Sequence, residues 1–120
     1  MPISHFHDLA AAIVVAGLAV STNVEAACAS NSQTDPGACT DVKTTLLYVD
    51  GTDAYVGVNS SVSSLTCVPP GGSLLKLPGT LPNFKVIYST LLAAQLSSRN
   101  VNIRLLPGTS ECTITYVTMP

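Results

Sequence analysis

Tryptophan is absent from this chain, and its two histidines, His5 and His7, both lie close to the amino terminus. Charge is scarce as well, because 5 lysines and arginines and 7 aspartates and glutamates make up only 10% of the residues. Histidine, paired carboxylates and free thiols carry most acid–base and nucleophilic catalysis. A chain with so few of these groups is predicted not to be an enzyme.

Motifs for metals, cofactors and nucleic acid are also missing. The cysteines form no CxxC pair, and the adjacent Gly71 and Gly72 belong to no GxGxxG or P-loop sequence. The sequence therefore predicts no metal site and no cofactor. The net charge of −2 gives no basic surface that could neutralise phosphates, so nucleic acid is not an expected partner.

One long apolar run is present, from Leu9 to Val20. It has 12 residues, whereas a membrane-spanning helix needs about 20. Val24 and Ala26 occupy positions −3 and −1 of a cleavage site after Ala26, which predicts that residues 1–26 are a removed signal peptide, although its start lacks lysine and arginine. The remaining residues 27–120 are predicted to form one domain, secreted or periplasmic, that does not insert into a membrane.

The four cysteines, Cys28, Cys39, Cys67 and Cys112, all lie in the predicted mature part. An even number of cysteines in a small exported chain is typical of a disulfide framework that compensates for a small core. Three pairings can be drawn. We favour Cys28–Cys39, which closes a loop rich in serine, asparagine and glycine, together with Cys67–Cys112, which joins the middle of the chain to its last predicted strand.

The order of elements indicates the fold class. Apolar residues at helical spacing predict one amphipathic helix over residues 83–98. Residues 27–40 are polar and turn-rich, and we expect either a mobile arm or a loop fixed by the first disulfide. Runs of β-branched and alternating residues predict strands over 43–49, 54–58, 62–68, 73–77, 101–106 and 112–117. The prediction is α+β: a small, mostly antiparallel sheet or OB-like open barrel of five to six strands, with the helix between the fourth and fifth strands.

Few residues offer binding chemistry. Asp50 and Asp53 are the closest carboxylate pair, and we interpret them as hairpin-turn residues rather than as a calcium loop or an acid–base pair. Residues 59–64 are rich in serine and asparagine, which either contact a sugar or form an ordinary solvated loop. At most one or two tyrosines are expected on a binding face, and the candidates are Tyr48, Tyr55, Tyr88 and Tyr116.

Several short runs together resemble a recurrent pattern in small exported bacterial proteins of unassigned function; they are residues 49–51, 88–94, 101–104 and 112–115. More remotely, the succession of strands, a central cysteine, a helix and an alternating strand over residues 44–117 resembles the OB-fold B subunits of AB5 toxins, of the subtilase-cytotoxin and pertussis-like kind. That resemblance implies assembly into rings and binding of cell-surface glycans. It assigns no binding residue to a position in this chain.

These observations favour an exported binding or assembly module, either monomeric or homo-oligomeric, whose partner is a glycan or a protein. The alternative hypothesis is a small exported enzyme inhibitor, with residues 69–72 or 107–110 as its exposed loop. An enzyme of unknown reaction belongs to the same alternative, and it would place Asp50 or Asp53 beside a lysine or arginine.

Overall fold

The computed structural model describes residues 25–32, 34–108 and 110–120. Apart from Glu25 and Ala26, the predicted signal peptide lies outside these residues. The described chain forms, in order, β1 (Ala27–Ala29), β2 (Ala38–Val42), β3 (Thr44–Asp50), β4 (Asp53–Val58), β5 (Leu75–Leu77), α1 (Phe84–Leu96), β6 (Val101–Leu105) and β7 (Ile114–Thr118). A short 3₁₀-helix, Pro70–Gly72, precedes β5.

The strands form two sheets, one of four strands in the order β1-β2-β6-β7 and one of three strands in the order β3-β4-β5. All neighbouring strands within the sheets are antiparallel. The predicted α+β class and the mostly antiparallel pairing are therefore confirmed. An isolated parallel bridge between Lys76 and Thr113 brings the chain before β7 beside the three-stranded sheet, and a second one joins Val68 of the loop after β4 to Glu111.

Two parts of the strand prediction are wrong. Residues 62–68 form no strand, because Val62, Leu65 and Cys67 are buried by a turn-rich loop rather than by strand pairing. The segment that we predicted as an arm or fixed loop contains β1 and the start of β2, whose small residues show no clear alternation. The structure therefore has seven strands where five to six were predicted, and the helix, which lies between the strands predicted over 73–77 and 101–106 as expected, follows the fifth strand in the new count.

The chain passes from one sheet to the other through Lys43, the single residue between β2 and β3. Asp41 has a φ of 57°, a left-handed conformation that aspartate tolerates better than most residues. Its N–H donates to Asn102 Oδ1 (2.8 Å), and its Oδ1 accepts from Asn100 Nδ2 (2.7 Å). Lys43 Nζ donates to Asn100 Oδ1 at 2.7 Å. Two asparagine side chains therefore hold the bend between the sheets.

Both sheets and the helix contribute to one core. The helix predicted over residues 83–98 spans Phe84–Leu96 and buries Ile87, Leu91 and Ala94, which lie on one face. Its main neighbours are β3 and β7. The largest fully buried side chains of the core are those of Leu75, Leu77, Leu91, Ile103, Leu105 and Ile114.

Two disulfides are present, and their pairing is the one favoured from the sequence. Cys28–Cys39 joins directly opposite residues of β1 and β2, with an S–S distance of 2.02 Å. Cys67–Cys112, at 2.04 Å, ties the loop after β4 to the residues just before β7. The helix α1 has 13 residues, and no helix in the described part of the chain has the length and apolarity that a membrane crossing requires.

Candidate functional site

An open depression of about 290 Å³ lies on the outer face of the four-stranded sheet. Ile103 points from β6 into the core, and the register places Val117 of β7, which packs against that core, directly opposite it. Side chains alternate along a strand, so the intervening residues point outward. The outward residues that line the depression, which we call the sheet groove, are Ala38, Thr40, Asn102, Arg104, Tyr116 and Thr118.

Tyr116 forms the aromatic wall of the sheet groove. It is 52% exposed, and the strand register places it directly opposite Arg104, which lies opposite Ala38 on the other side. Because Ala38 carries only a methyl group, the row of three side chains leaves an open space over β2. A tyrosine in such a position offers an apolar ring face for stacking and a hydroxyl for hydrogen bonding.

Arg104 is held in position at the rim of the groove. Its Nη2 lies 3.3 Å from Asp35 Oδ1, and the same oxygen accepts a hydrogen bond from the Gly37 N–H at 2.9 Å. The Arg104 side chain remains 37% exposed. A guanidinium has five N–H donors in a fixed plane, so Arg104 can keep this ion pair and still donate to a ligand.

The other end of the groove is polar and uncharged. Asn102 lies opposite Thr118 in the register of β6 and β7. The Oδ1 atom of Asn102 accepts from the Asp41 N–H at 2.8 Å, so its NH₂ group is the part that can serve a ligand. Thr40 and Thr118 are exposed, and their hydroxyls can both donate and accept. The sheet groove thus combines one aromatic ring, one anchored cation and several neutral hydrogen-bonding groups.

The candidate carboxylates lie elsewhere, at the turn of the β3–β4 hairpin. Asp50 and Asp53 are opposite each other across Gly51 and Thr52. Asp53 accepts a hydrogen bond from the Gly79 N–H at 2.9 Å, so it stabilises the loop that follows β5. This geometry agrees with the interpretation of the two residues as turn residues.

Lys76 lies on the outer face of the three-stranded sheet between two carboxylates. Its Nζ is 3.2 Å from Glu111 Oε2 and 3.9 Å from Asp53 Oδ2. The hydrogen bond and charge of Glu111, with a smaller contribution from Asp53, raise the pKa of Lys76 above 10.5. The single ammonium offsets one of the two carboxylates, so this cluster keeps one net negative charge.

The other candidates from the sequence do not join the sheet groove. Tyr48 and Tyr55 stack on each other across β3 and β4, with ring centroids 5.3 Å apart. Tyr88 stacks on Phe84 at 6.0 Å in the first turns of α1. The serine-rich loop forms its own contacts, including one of 2.8 Å between the hydroxyls of Ser61 and Ser63. Of the four tyrosines, only Tyr116 lines this depression.

A second and flatter depression of about 440 Å³ lies along α1. Its lining residues include Val86 and Ala93 of the helix together with Met119, so it is mostly apolar. Val86 and Leu96 are also strongly exposed, at 68% and 79%. This helix surface lacks the combination of a ring and anchored polar groups that the sheet groove has.

Several residues of the sheet groove were not identified from the sequence. The sequence placed Asn102 and Arg104 only within the strand predicted over 101–106, and Asp35, which anchors Arg104, only within the polar, turn-rich residues 27–40. The polar alternation was a weak signal for an exposed strand face. Among the described residues, no group of three or more histidines, cysteines, aspartates or glutamates could hold a metal ion.

Comparison with known proteins finds no family model, no curated protein and no solved structure that matches this chain. The geometry of the sheet groove is therefore the basis for inferring a function.

Proposed function

We propose that this protein is an exported binding module that holds a glycan in the sheet groove. The observation that carries the proposal is the exposed Tyr116 beside Arg104, which Asp35 anchors, in a depression of about 290 Å³. Ligand sites in proteins start at about 300 Å³, so the space suits a small part of a ligand rather than a complete folded partner.

The chemistry of the groove matches that of a sugar. A sugar ring has an apolar face, which can stack on Tyr116, and a rim of hydroxyls that donate and accept hydrogen bonds. Arg104 donates from a fixed plane, while Thr40 and Thr118 serve either role. No described group in the groove is an unpaired carboxylate, since Asp35 is engaged by Arg104 and Gly37.

Export is supported by the state of the cysteines. All four are in disulfides, and such bonds persist in oxidising compartments such as the periplasm and the extracellular space. The two bonds are compatible with either location. The sequence of the predicted signal peptide, residues 1–26, supports the same proposal.

We extend the proposal to an OB-like arrangement of the strands. If β2 and β3 are counted as one bent strand, it pairs with β4 at one end and with β6 at the other. The parallel bridge between Lys76 and Thr113 then joins β5 to the start of β7, and α1 falls between the third and fourth strands. This cyclic order is what supports an OB-like barrel, the fold of the toxin B subunits that the chain resembles.

Binding to a glycan array, followed by calorimetric titration of the best glycan, tests the proposal. Tyr116→Ala should weaken binding by about tenfold or more, because it removes the stacking surface. Tyr116→Phe should retain most of the affinity. The matched control is Tyr48→Ala, since Tyr48 is also an exposed tyrosine, 40% accessible, but lies on the other sheet.

Two results would overturn the proposal. The first is the absence of any array signal for the wild-type protein. The second is a loss of affinity in Tyr48→Ala with no loss in Tyr116→Ala, which would move the ligand to the three-stranded sheet, where Tyr48 of β3 stacks on Tyr55 of β4.

A further inference from the structure

The strand β3 is the edge of its sheet, and nothing in the described part of the chain pairs with its outer side. It is also the longest strand, with 7 residues. A free strand edge presents a row of unpaired N–H and C=O groups that can pair with another strand. The other end strands are shorter: β5 of the same sheet has 3 residues, and β1 and β7 of the four-stranded sheet have 3 and 5.

The sequence of β3 lacks the usual protection of a free edge. Natural edges are commonly protected by proline or by charged residues, especially lysine. Residues 44–49 contain none of these, and the only charge in the strand is Asp50 at its end. Leu46, Tyr48 and Val49 are 45%, 40% and 51% exposed. A bulge between Thr44 and Leu46 distorts only the start of the strand.

The hairpin geometry shows which backbone groups face outward. Asp50 and Asp53 close a two-residue turn that begins with Gly51 at a φ of 65°, so they form a hydrogen-bonded pair. Hydrogen-bonded and non-hydrogen-bonded pairs alternate along antiparallel strands. Tyr48 therefore bonds to β4, whereas the N–H and C=O groups of Leu47 and Val49 point to the free side.

We propose that β3 pairs antiparallel with β3 of a second copy of this chain, about a two-fold axis at Leu47. The outward groups of Leu47 then bond to those of Leu47 in the other copy. Val49 of each copy pairs with Thr45 of the other. The two three-stranded sheets join into one sheet of six strands. The central pair of this register uses the outward groups of Leu47, and its outer pairs join Val49 to Thr45, which lies in the bulge at the start of the strand.

The side chains of β3 are self-complementary in this register. Residues that lie opposite each other point to the same face, so Leu46 of each copy meets Tyr48 of the other. Aromatic–aliphatic cross-strand pairs of this kind stabilise a sheet. Asp50 lies opposite Thr44, so the carboxylates of the two copies are at opposite ends of the ladder, about 20 Å apart at 3.4 Å per residue. The pairing thus brings no like charges together.

Sedimentation of the disulfide-bonded protein up to about 200 µM tests this inference, since dimerisation depends on concentration. The wild type should sediment as a monomer–dimer equilibrium. Val49→Lys should raise the dimer dissociation constant by about tenfold or more. Val49→Pro should do the same, because it removes an outward N–H and proline is tolerated on an edge strand.

The matched control is Val86→Lys, which places the same charge at a residue of similar exposure on α1. It should leave the dissociation constant within about twofold. Amide exchange gives a second readout, because the amides of Leu47 and Val49 should exchange about tenfold faster when the protein is diluted below the dissociation constant. A wild type that stays monomeric, a dimer disrupted by Val86→Lys and not by Val49→Lys, or equal exchange at both concentrations would each overturn the inference. None of these results bears on glycan binding, since the sheet groove lies on the other sheet.

Discussion

The two sheets of this protein are fastened in different ways. Both disulfides involve the four-stranded sheet or the residues that lead into it, and no cysteine lies in the three-stranded sheet. The three-stranded sheet is held instead by a two-residue turn, by contacts of Gly79 with the turn, and by the ion pairs of Lys76. The difference teaches that covalent bonds secure the sheet with the candidate ligand site, while the sheet with the free edge relies on close packing.

The largest expected effect concerns the disulfide with the longer loop. In the chain-entropy model the 45-residue separation of Cys67–Cys112 contributes about 4 kcal/mol, and the 11-residue separation of Cys28–Cys39 about 3 kcal/mol. We expect replacement of Cys67 and Cys112 by alanine to lower the free energy of unfolding in urea more than replacement of Cys28 and Cys39 by alanine. Equal losses, or the reverse order, would contradict this.

The same variants sharpen the comparison between the sheets. Removal of Cys28–Cys39 should increase amide exchange in β1 and leave β4 protected, because the bond joins only β1 to β2. If the amides of β4 lose protection from exchange to the same degree as those of β1, the three-stranded sheet also depends on this disulfide and the contrast between the sheets is wrong.

A smaller effect is expected from Gly79→Ala in the three-stranded sheet. A Cβ at this position would overlap the carbonyl oxygen of Thr52, so the turn or the loop must shift. Overpacking of this kind typically costs about 1–3 kcal/mol, and urea unfolding measures it. The neighbouring Thr80→Ala is the control, because Thr80 is exposed and should change the stability by less than about 0.5 kcal/mol. If Gly79→Ala leaves the free energy of unfolding unchanged, the packing between the turn and the loop is loose.

The smallest effect is the pH dependence contributed by Lys76. Because its pKa is raised above 10.5 in the folded protein, its stabilising effect is complete below the unfolded-state pKa and is lost as the pH rises through the folded-state value. The urea midpoint should therefore fall as the pH rises past the ordinary lysine value of 10.5, and Lys76→Met should reduce that fall. The exposed Lys85→Met serves as control. If both variants show the wild-type fall, the ion pairs of Lys76 do not stabilise the sheet.

The sequence predicted those parts of the fold that depend on local patterns. The helix and strand β6 agree with the prediction within a few residues. Ile87 and Leu91 are one helical turn apart, and Ile103 is one of the apolar residues that occupy every second position of β6. The cysteine pairing was favoured correctly because one pair closes a short polar loop. Residues 62–68 misled the prediction, since their apolar residues are buried from a loop.

The candidate site was much harder to predict than the fold. Ala38, Arg104 and Tyr116 are neighbours only because β6 pairs with both β2 and β7. No pattern within a single strand specifies which strands become neighbours. The sequence could therefore identify Tyr116 as one of four candidate tyrosines, but it could not bring Asp35 and Arg104 to the same place.

The bend between β2 and β3 has a consequence for the chemical ageing of the protein. Asparagine amides are among the more labile groups in proteins, and hydrolysis of the Asn100 amide would set a carboxylate where its Nδ2 now lies 2.7 Å from Asp41 Oδ1. That carboxylate could no longer donate to Asp41, and the Lys43 ammonium, which now donates to Asn100 Oδ1 at 2.7 Å, would be shared between two anions. Hydrolysis of this one amide in a stored preparation is therefore expected to weaken the bend between the two sheets without touching either disulfide.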